Sequence, residues 1–496
     1  MSKNNKALAK TSSGLALALV LAGCAVGPDF VRPGLDRNAG YGEAAPMPAT
    51  AQAQADSVTP PRFQYGADIP AQWWTVFRSP RLNALVEQAL RANPNIKAAE
   101  AALVVAQESV RAQRGAYLPQ VSANFNPTRQ KSAGILSPAL DSGANPYNLH
   151  TAQLNISYMA DVFGLNRRTV ESLEAQSEFQ HYQLRAAHLS LSSNVVASVV
   201  QIAGLSGQIE ATEASIGIVS EQLGIQRKQL EAGAIPEANV IAQEALLAQT
   251  QAQLPALRKQ LQQQKHLLAA LTGGFPGKAD DFNFTLAELN MPAELPVSLP
   301  SALVEHRPDI RAAEAQLKAA SAQIGVAVAN MLPQITLSAD LGSSALTVGQ
   351  LFSSGTGFWA LAAGVMQPVF QGGTLIHRKR AAEAAFNQSA AQYQATVISA
   401  FQNVADSLRA LEFDVDGLNA ARTAEAATFK SLNIARRQLE LGDVSYLGLL
   451  TAQQSYQQAR LAAVQAETLR LADVAALFQA LGGSWNKPQQ SAKATP

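Results

Sequence analysis

The run Asn93-Pro94-Asn95-Ile96-Lys97-Ala98-Ala99-Glu100-Ala101 returns as Arg307-Pro308-Asp309-Ile310-Arg311-Ala312-Ala313-Glu314-Ala315. Leu118-Pro119-Gln120-Val121 returns as Leu332-Pro333-Gln334-Ile335, and both pairs stand 214 residues apart (94 to 308, 119 to 333). Further on, Asp161-Val162-Phe163-Gly164 is echoed by Pro368-Val369-Phe370-Gln371, Leu230-Glu231-Ala232-Gly233 by Leu439-Glu440-Leu441-Gly442, and Ala270-Leu271-Thr272-Gly273 by Ala480-Leu481-Gly482-Gly483. Echoes that keep one order are not coincidence among Ala-rich helices. The chain is a tandem duplication, and any fold it adopts must build the same unit twice.

Each unit opens with a helical pattern, Arg81 to Ala116 and Leu299 to Met331, in which Pro94 and Pro308 suit a first helical turn. Leu-Pro then ends the helix and starts an extended run of period two. Val121, Ala123 and Phe125 oppose Gln120, Ser122 and Asn124; Ile335, Leu337, Ala339 and Leu341 oppose Gln334, Thr336, Ser338 and Asp340. The first return strand sets Leu154, Ile156 and Tyr158 against Gln153, Asn155 and Ser157. The second, Phe358 to Gln367, sets Trp359, Leu361, Ala363 and Val365 against mostly small residues. Asn126 to His150 and Gly342 to Gly357, rich in Gly, Ser, Pro and Asn, read as hairpin loops.

After each return strand comes an uninterrupted helical pattern, Leu165 to Ala232 and Leu375 to Leu441. Either is roughly 100 Å long at ~1.5 Å per residue, more than an ordinary globular domain spans. Val195, Ile202, Ile209, Ile216, Leu223 and Leu230 repeat every seventh position, the mark of a left-handed coiled-coil seam. The following helix offers Val240, Leu247, Leu254, Leu261 and Leu268 as its partner. Gly233 and Gly442 stand at the reversals, where a left-handed cap is expected. Pro255, inside the partner helix, should remove a hydrogen bond and bend the axis, a local helix break being the alternative.

The N-terminus carries an address. Lys3, Lys6 and Lys10 precede the short apolar run Gly14 to Leu21, too short to span a bilayer, so residues 1–23 read as a signal peptide. Leu21-Ala22-Gly23-Cys24 follows, and Cys24 is the only cysteine in the chain. Leu-Ala-Gly-Cys resembles a bacterial lipobox, which implies that Cys24 is used as a lipid anchor and would leave the mature chain no thiol for a disulfide, metal or nucleophile. Removing the three signal lysines takes the formal charge from +1 to 1 − 3 = −2. With no basic stripe, nucleic acid is not expected as a partner. Aromatics at 6% and charged residues at 15%, among abundant Ala, Gln, Leu and Ser, suit closely packed long helices. The six histidines have no metal-ligand spacing, Gly273 to Lys278 lacks the spacing of a phosphate loop, and neither a catalytic group, a metal site nor a cofactor is expected. Residues 39–61, rich in Ala, Pro and Gln, read as an extended linker.

An apolar strand face opposite a polar one usually means a soluble sheet lying on a core. These strands, however, are about 8–11 residues long, the length that crosses a bilayer when tilted. Four strands cannot close a barrel, and an open edge in lipid leaves backbone groups unpaired. Several copies must then share one barrel.

Cys-Ala-Val-Gly-Pro-Asp-Phe (24–30), Val162-Phe163-Gly164, Arg-Pro-Asp-Ile-Arg (307–311), Leu-Pro-Gln-Ile (332–335) and Tyr-Leu-Gly-Leu-Leu-Thr-Ala-Gln (446–453) resemble the TolC-type outer membrane factors, efflux lipoprotein branch. The lipobox resemblance implies acylation of Cys24; Ala25 after it favours outer-membrane sorting. The family resemblance implies an α+β membrane protein: a homotrimer whose long-helix barrel is continuous with a shared twelve-stranded β-barrel, with an equatorial belt from parts such as Phe275 to Pro300. It implies a lipid-anchored channel in the outer membrane that exports small molecules and docks a periplasmic adaptor and an inner-membrane transporter. The expected organisation is a signal peptide (1–23), an anchored segment and linker (24–80), a first repeat (81–298), a second (299–484) and a tail (485–496). Gln120, Ser122, Asn124, Gln153, Asn155, Ser157, Thr336, Ser338 and Asp340 would line the lumen. Gly233, Asn239, Gly442, Asp443, Gly448 and Thr451 would lie at the periplasmic aperture and adaptor contact. The family's gating aspartates fall on Asn239, Gly448 and Thr451, none of them acidic; Asp443 is the nearest acid, able to form a ring of three or to be a solvated turn residue. A periplasmic adaptor fits less well, having one helical hairpin where this chain has two. An envelope hydrolase would need a nucleophile or metal cluster.

Overall fold

The computed structural model describes residues 25–34, 40–41, 60–67, 69–131 and 146–483. The expectations placed on the signal peptide, Cys24, most of the linker and the tail lie outside the described residues. In chain order the elements are β1 (Arg62–Tyr65), α1 (Pro80–Ala92), α2 (Pro94–Arg114), β2 (Gln120–Gln130), β3 (Tyr147–Ala160), α3 (Leu165–Glu231), α4 (Glu237–Gln251) and α5 (Gln253–Leu271). There follow β4 (Glu294–Val297), α6 (Pro300–His306), α7 (Pro308–Ala329), β5 (Gln334–Ala345), β6 (Gly357–Met366), α8 (Thr374–Leu441) and α9 (Tyr446–Ala480). Short 3-10 turns occupy Trp73–Phe77 and Pro276–Asp281, among others.

The opening helix of each repeat, expected as one piece, is two. The break falls at Asn93 and again at Arg307, both extended, because the following Pro94 and Pro308 disfavour a helical residue before them. The break residues do the same work in both halves. Asn93 Nδ2 donates to the Leu271 carbonyl at 2.9 Å, and Arg307 Nη1 donates to those of Ala480 and Ala400 at 2.6 and 3.1 Å. Each thus satisfies a carbonyl at the last turn of its repeat's final helix. The repeated Pro motif is a staple between the start and end of each unit.

Spatially the chain divides differently. One compact unit gathers residues 1–33, 102–181 and 312–394, the other 34–101, 182–311 and 395–496, so each draws on both repeats.

The first unit holds one antiparallel sheet of order β2-β3-β5-β6. Its strands have 10 to 14 residues; β2, β3 and β5 run further than the sequence pattern suggested and shorten both hairpin loops, while β6 keeps the expected ten residues, shifted by one. The alternation fades there because Thr, Gly and Ser pair well without contrast in polarity. The segment Ala25 to Pro33 docks on this unit: Val26 N–H donates to the Phe163 carbonyl at 3.2 Å. Arg168, nearly buried, donates to the Val26 and Gly27 carbonyls at 3.0 and 3.3 Å and pairs with Asp29 at 2.8 Å.

The second unit is helical apart from β1 and β4, a short parallel pair that the sequence reading left irregular. Trp73 stacks on Phe478 at 5.2 Å, and Leu82, Val86 and Ala89 of α1 are buried. No member of the expected heptad seam on α3 or α4–α5 is exposed. The most apolar part of α3 is long and apolar enough to cross a membrane, yet that window is two-thirds buried in the fold. There Gly204 lets α9 approach so closely that a Cβ would lie 2.4 Å from Thr468 Oγ1. At Ala252 the α4–α5 helix breaks while its backbone stays right-handed helical (φ −63°, ψ −17°), as expected when Pro255 supplies no N–H to the preceding turn.

Candidate channel surfaces

The register sets the polar strand residues in rows. Gln120, Ser157 and Ser338 are mutual partners across β2, β3 and β5, as are Ser122, Asn155 and Asp340; Asn124 stands beside Gln153. Thr336 follows with the same parity on β5, beside Met159. All nine expected polar residues therefore share one face. Asn155 is its hub: it accepts from Asn124 Nδ2 at 2.6 Å and Gln153 Nε2 at 3.2 Å, and its own Nδ2 donates to Asp340 at 2.5 Å. β6 adds small residues (Ala360, Ala362, Gly364) to this face and one aromatic, Phe358, whose ring lies over Gly342.

The opposite face is apolar and bare. Val121, Ile156, Ala339 and Leu361 form one row, Ala123, Leu154, Leu341 and Trp359 the next. Trp359, Leu361 and Val365 are each at least 70% exposed. An apolar patch of this extent marks a surface with another partner, protein or membrane. β2 and β6 stand at the two edges, each paired on one side only.

Four residues after Asp161, α3 begins, following β3 within the same unit. Asp161 caps it, accepting from the amides of Asn166 and Arg167, both at 2.9 Å. Gly164, in left-handed backbone, packs against Ala25. The motifs at 24–30 and 161–164 thus meet, a pairing the sequence reading did not anticipate; an Asp shortly before a helix was the available signal.

In the second unit, α3 and α8 end alike. Gly233 (φ +72°) and Gly442 (φ +79°) take left-handed backbone. Ala234 N–H reaches back to Gln229 and Asp443 N–H to Gln438, both at 2.8 Å, the Schellman arrangement that satisfies a helix's last carbonyls. The next helices start differently. Pro236 precedes α4, and Asn239 N–H bonds the Pro236 carbonyl. Ser445 caps α9 by accepting from Gly448 N–H at 3.3 Å. Thr451 turns its hydroxyl to the Leu447 carbonyl at 2.9 Å, and Asp443 is exposed. The structure groups Gly442, Asp443, Gly448 and Thr451 about one turn and Gly233 and Asn239 about another. It adds contacts that the sequence did not disclose: Tyr446 Oη donates to Gln229, and Gln243 Nε2 donates to Gln453 Oε1 at 3.3 Å, with both glutamines almost wholly buried.

An open sheet with one wet and one greasy face, joined to helices of 67 and 68 residues, defines a subunit of a membrane channel. The sequence profile of the family described as "Outer membrane efflux protein" matches residues 85–274 and 299–483. The chain belongs to that family: it is an outer-membrane channel component of an efflux system. It is 27% identical over 489 residues to the toluene efflux pump outer membrane protein TtgF of Pseudomonas putida, covering 95% of this chain and 96% of that one. To the pyoverdine export outer membrane protein OpmQ of Pseudomonas putida it is 29% identical, over 84% of this chain and 89% of that one. The crystal structure of the outer membrane protein VceC from Vibrio cholerae superposes with a TM-score of 0.76 at 28% identity, over 84% of this chain and all of that one.

Proposed function

We propose that three copies of this chain close one barrel of twelve strands, three times the four of a single sheet, and that the barrel is the exit of a tripartite efflux system. The carrying observation is the sheet itself: two edges paired on one side only and an apolar face left bare. In lipid each unpaired backbone group costs several kcal/mol, which copies remove by pairing β2 of one with β6 of the next. The polar rows centred on Asn155 then line the lumen. They contain amides, hydroxyls and one carboxylate, a set that discriminates little among solutes. That suits export of small, chemically varied organic compounds delivered by an inner-membrane transporter. The turns at Gly233–Asn239 and Gly442–Thr451 form the aperture and meet a periplasmic adaptor.

Lipid anchoring at Cys24 is part of this proposal. Cys24 directly precedes Ala25 in the sequence, and Ala25 packs against Gly164, four residues after the end of β3. The division into two repeats, 81–298 and 299–484, with a leader, an anchored segment and a tail, is kept as the working organisation. No catalytic role is proposed.

The test is native mass and planar-bilayer conductance of the detergent-purified mature protein. A trimer with stepwise conductance is expected. A monomer soluble without detergent would end the proposal.

A further inference from the structure

Two carboxyl groups meet in the seam between α8 and α9, within the second unit. Asp414 of α8 and Asp473 of α9 are partly buried and within hydrogen-bonding reach of each other. Oδ2 of Asp414 is buried and accepts no hydrogen bond. Around them the seam is apolar, with Leu411, Val415 and Leu418 from α8 and Leu471, Val474 and Leu477 from α9 all buried. Other charged groups near this level are Arg470, buried on α9, the pair Arg422 (α8) and Glu467 (α9), 3.2 Å apart, and on α8 the pair Arg409 and Glu412, 2.7 Å apart, with the exposed Asp416. Two carboxylates in contact inside a partly dry seam cannot both ionise cheaply.

We infer that Asp414 and Asp473 form a proton-held latch between α8 and α9, pinning the helices while they share a proton and pushing them apart when it leaves. The reading concerns the helical hairpin alone and does not depend on the transport reading. Its mechanical consequence lies at the turn of that hairpin. From Asp414 to Asp443 the helix and cap run for about 44 Å at ~1.5 Å per residue, and because Gly442 to Ser445 join the two helices covalently, that turn is the pivot about which the seam opens at the latch. Burial, and after it the Asp473 charge, pushes the Asp414 carboxyl up to about 7, while Arg470 opposes the rise. Burial raises Asp473 as well. Because the folded pKa lies above the unfolded value, the latch's contribution is complete below the ordinary carboxylate range and is lost as pH rises through about 7.

Hydrogen–deuterium exchange on the purified full chain in detergent tests this, with peptides covering 405–420 and 465–480 and rates corrected for intrinsic chemistry. In the wild type these peptides should open roughly 5- to 10-fold more readily at about pH 8.5 than at about pH 5.5. Asp414→Asn, which can donate a permanent hydrogen bond to Asp473, should show the low-pH protection at both values. Asp473→Asn should do the same, and Asp443→Ala should keep the wild-type pH dependence. Equal wild-type protection at both pH values overturns the latch, as does an Asp414→Asn profile that still follows the wild type. Should either Asn variant fail to fold, infrared spectroscopy of the wild type decides. A protonated carboxyl band near pH 6 that vanishes by about pH 9 supports the latch, and its absence at both overturns it.

Discussion

At the scale of single residues, small side chains do unusual work here. Gly204 and Thr468 are in such close contact that any Cβ at 204 must displace α9 or the threonine. Gly204→Val should cost about 1–3 kcal/mol, the usual range for overpacking a tight interface. Thermal unfolding of the purified protein should show a lowered midpoint, and an unchanged midpoint would mean that α9 does not lie so close. Composition pointed toward such packing but could not name the position. A glycine within a helix pattern is equally compatible with an open site such as Gly217, where an added Cβ would meet nothing. Arg168 illustrates the opposite case. Nothing in its local sequence distinguishes it from Arg167, yet one is exposed and the other is nearly buried against a segment some 140 residues earlier.

At the scale of elements, periodicity told most. The long helices were legible to within a residue at each end (Leu165–Glu231 and Thr374–Leu441), because an unbroken heptad pattern leaves few alternatives and glycine marks the stop. The breaks at Asn93 and Arg307 were misread because a proline suits both a helix interior's kink and a fresh first turn. Only the carbonyls that those two residues reach, at Leu271 and Ala480, decide for the latter. β1 and β4 escaped notice because four residues are too few to establish a period. The caps carry a prediction of their own. Ser445→Ala removes the side chain that receives Gly448 N–H and should cost about 1 kcal/mol, felt first in the opening turn of α9. Exchange of the amides of Leu447 to Leu449 should speed up several-fold while the α4 start, which has no side-chain cap, is unchanged. Uniform loosening of both starts would count against a local cap.

At the scale of the whole molecule, the proposed lipid anchor and the proposed barrel are expected to be separable. Ala25 to Pro33 are held by Arg168 and by the backbone of Phe163 whether or not a lipid is attached. Cys24→Ser is therefore expected to abolish acylation, seen as loss of the lipid mass, while leaving the trimer and its conductance intact. Loss of the trimer in that variant would make the anchor part of assembly and would contradict the independence argued from this docking.

What the sequence determined alone were the features written in short repeats: the duplication, the heptad seams, the strand alternation and the glycine reversals. These follow from local geometry, in which side-chain direction recurs every two or 3.6 residues and so leaves a trace in the order of polar and apolar residues. What only the tertiary structure decided were the meetings between distant segments: Ala25 with Gly164, Gly204 with Thr468, Asp414 with Asp473. Each depends on how far one segment is displaced along another. That displacement is set by the summed packing of many side chains and leaves no periodic mark on the chain.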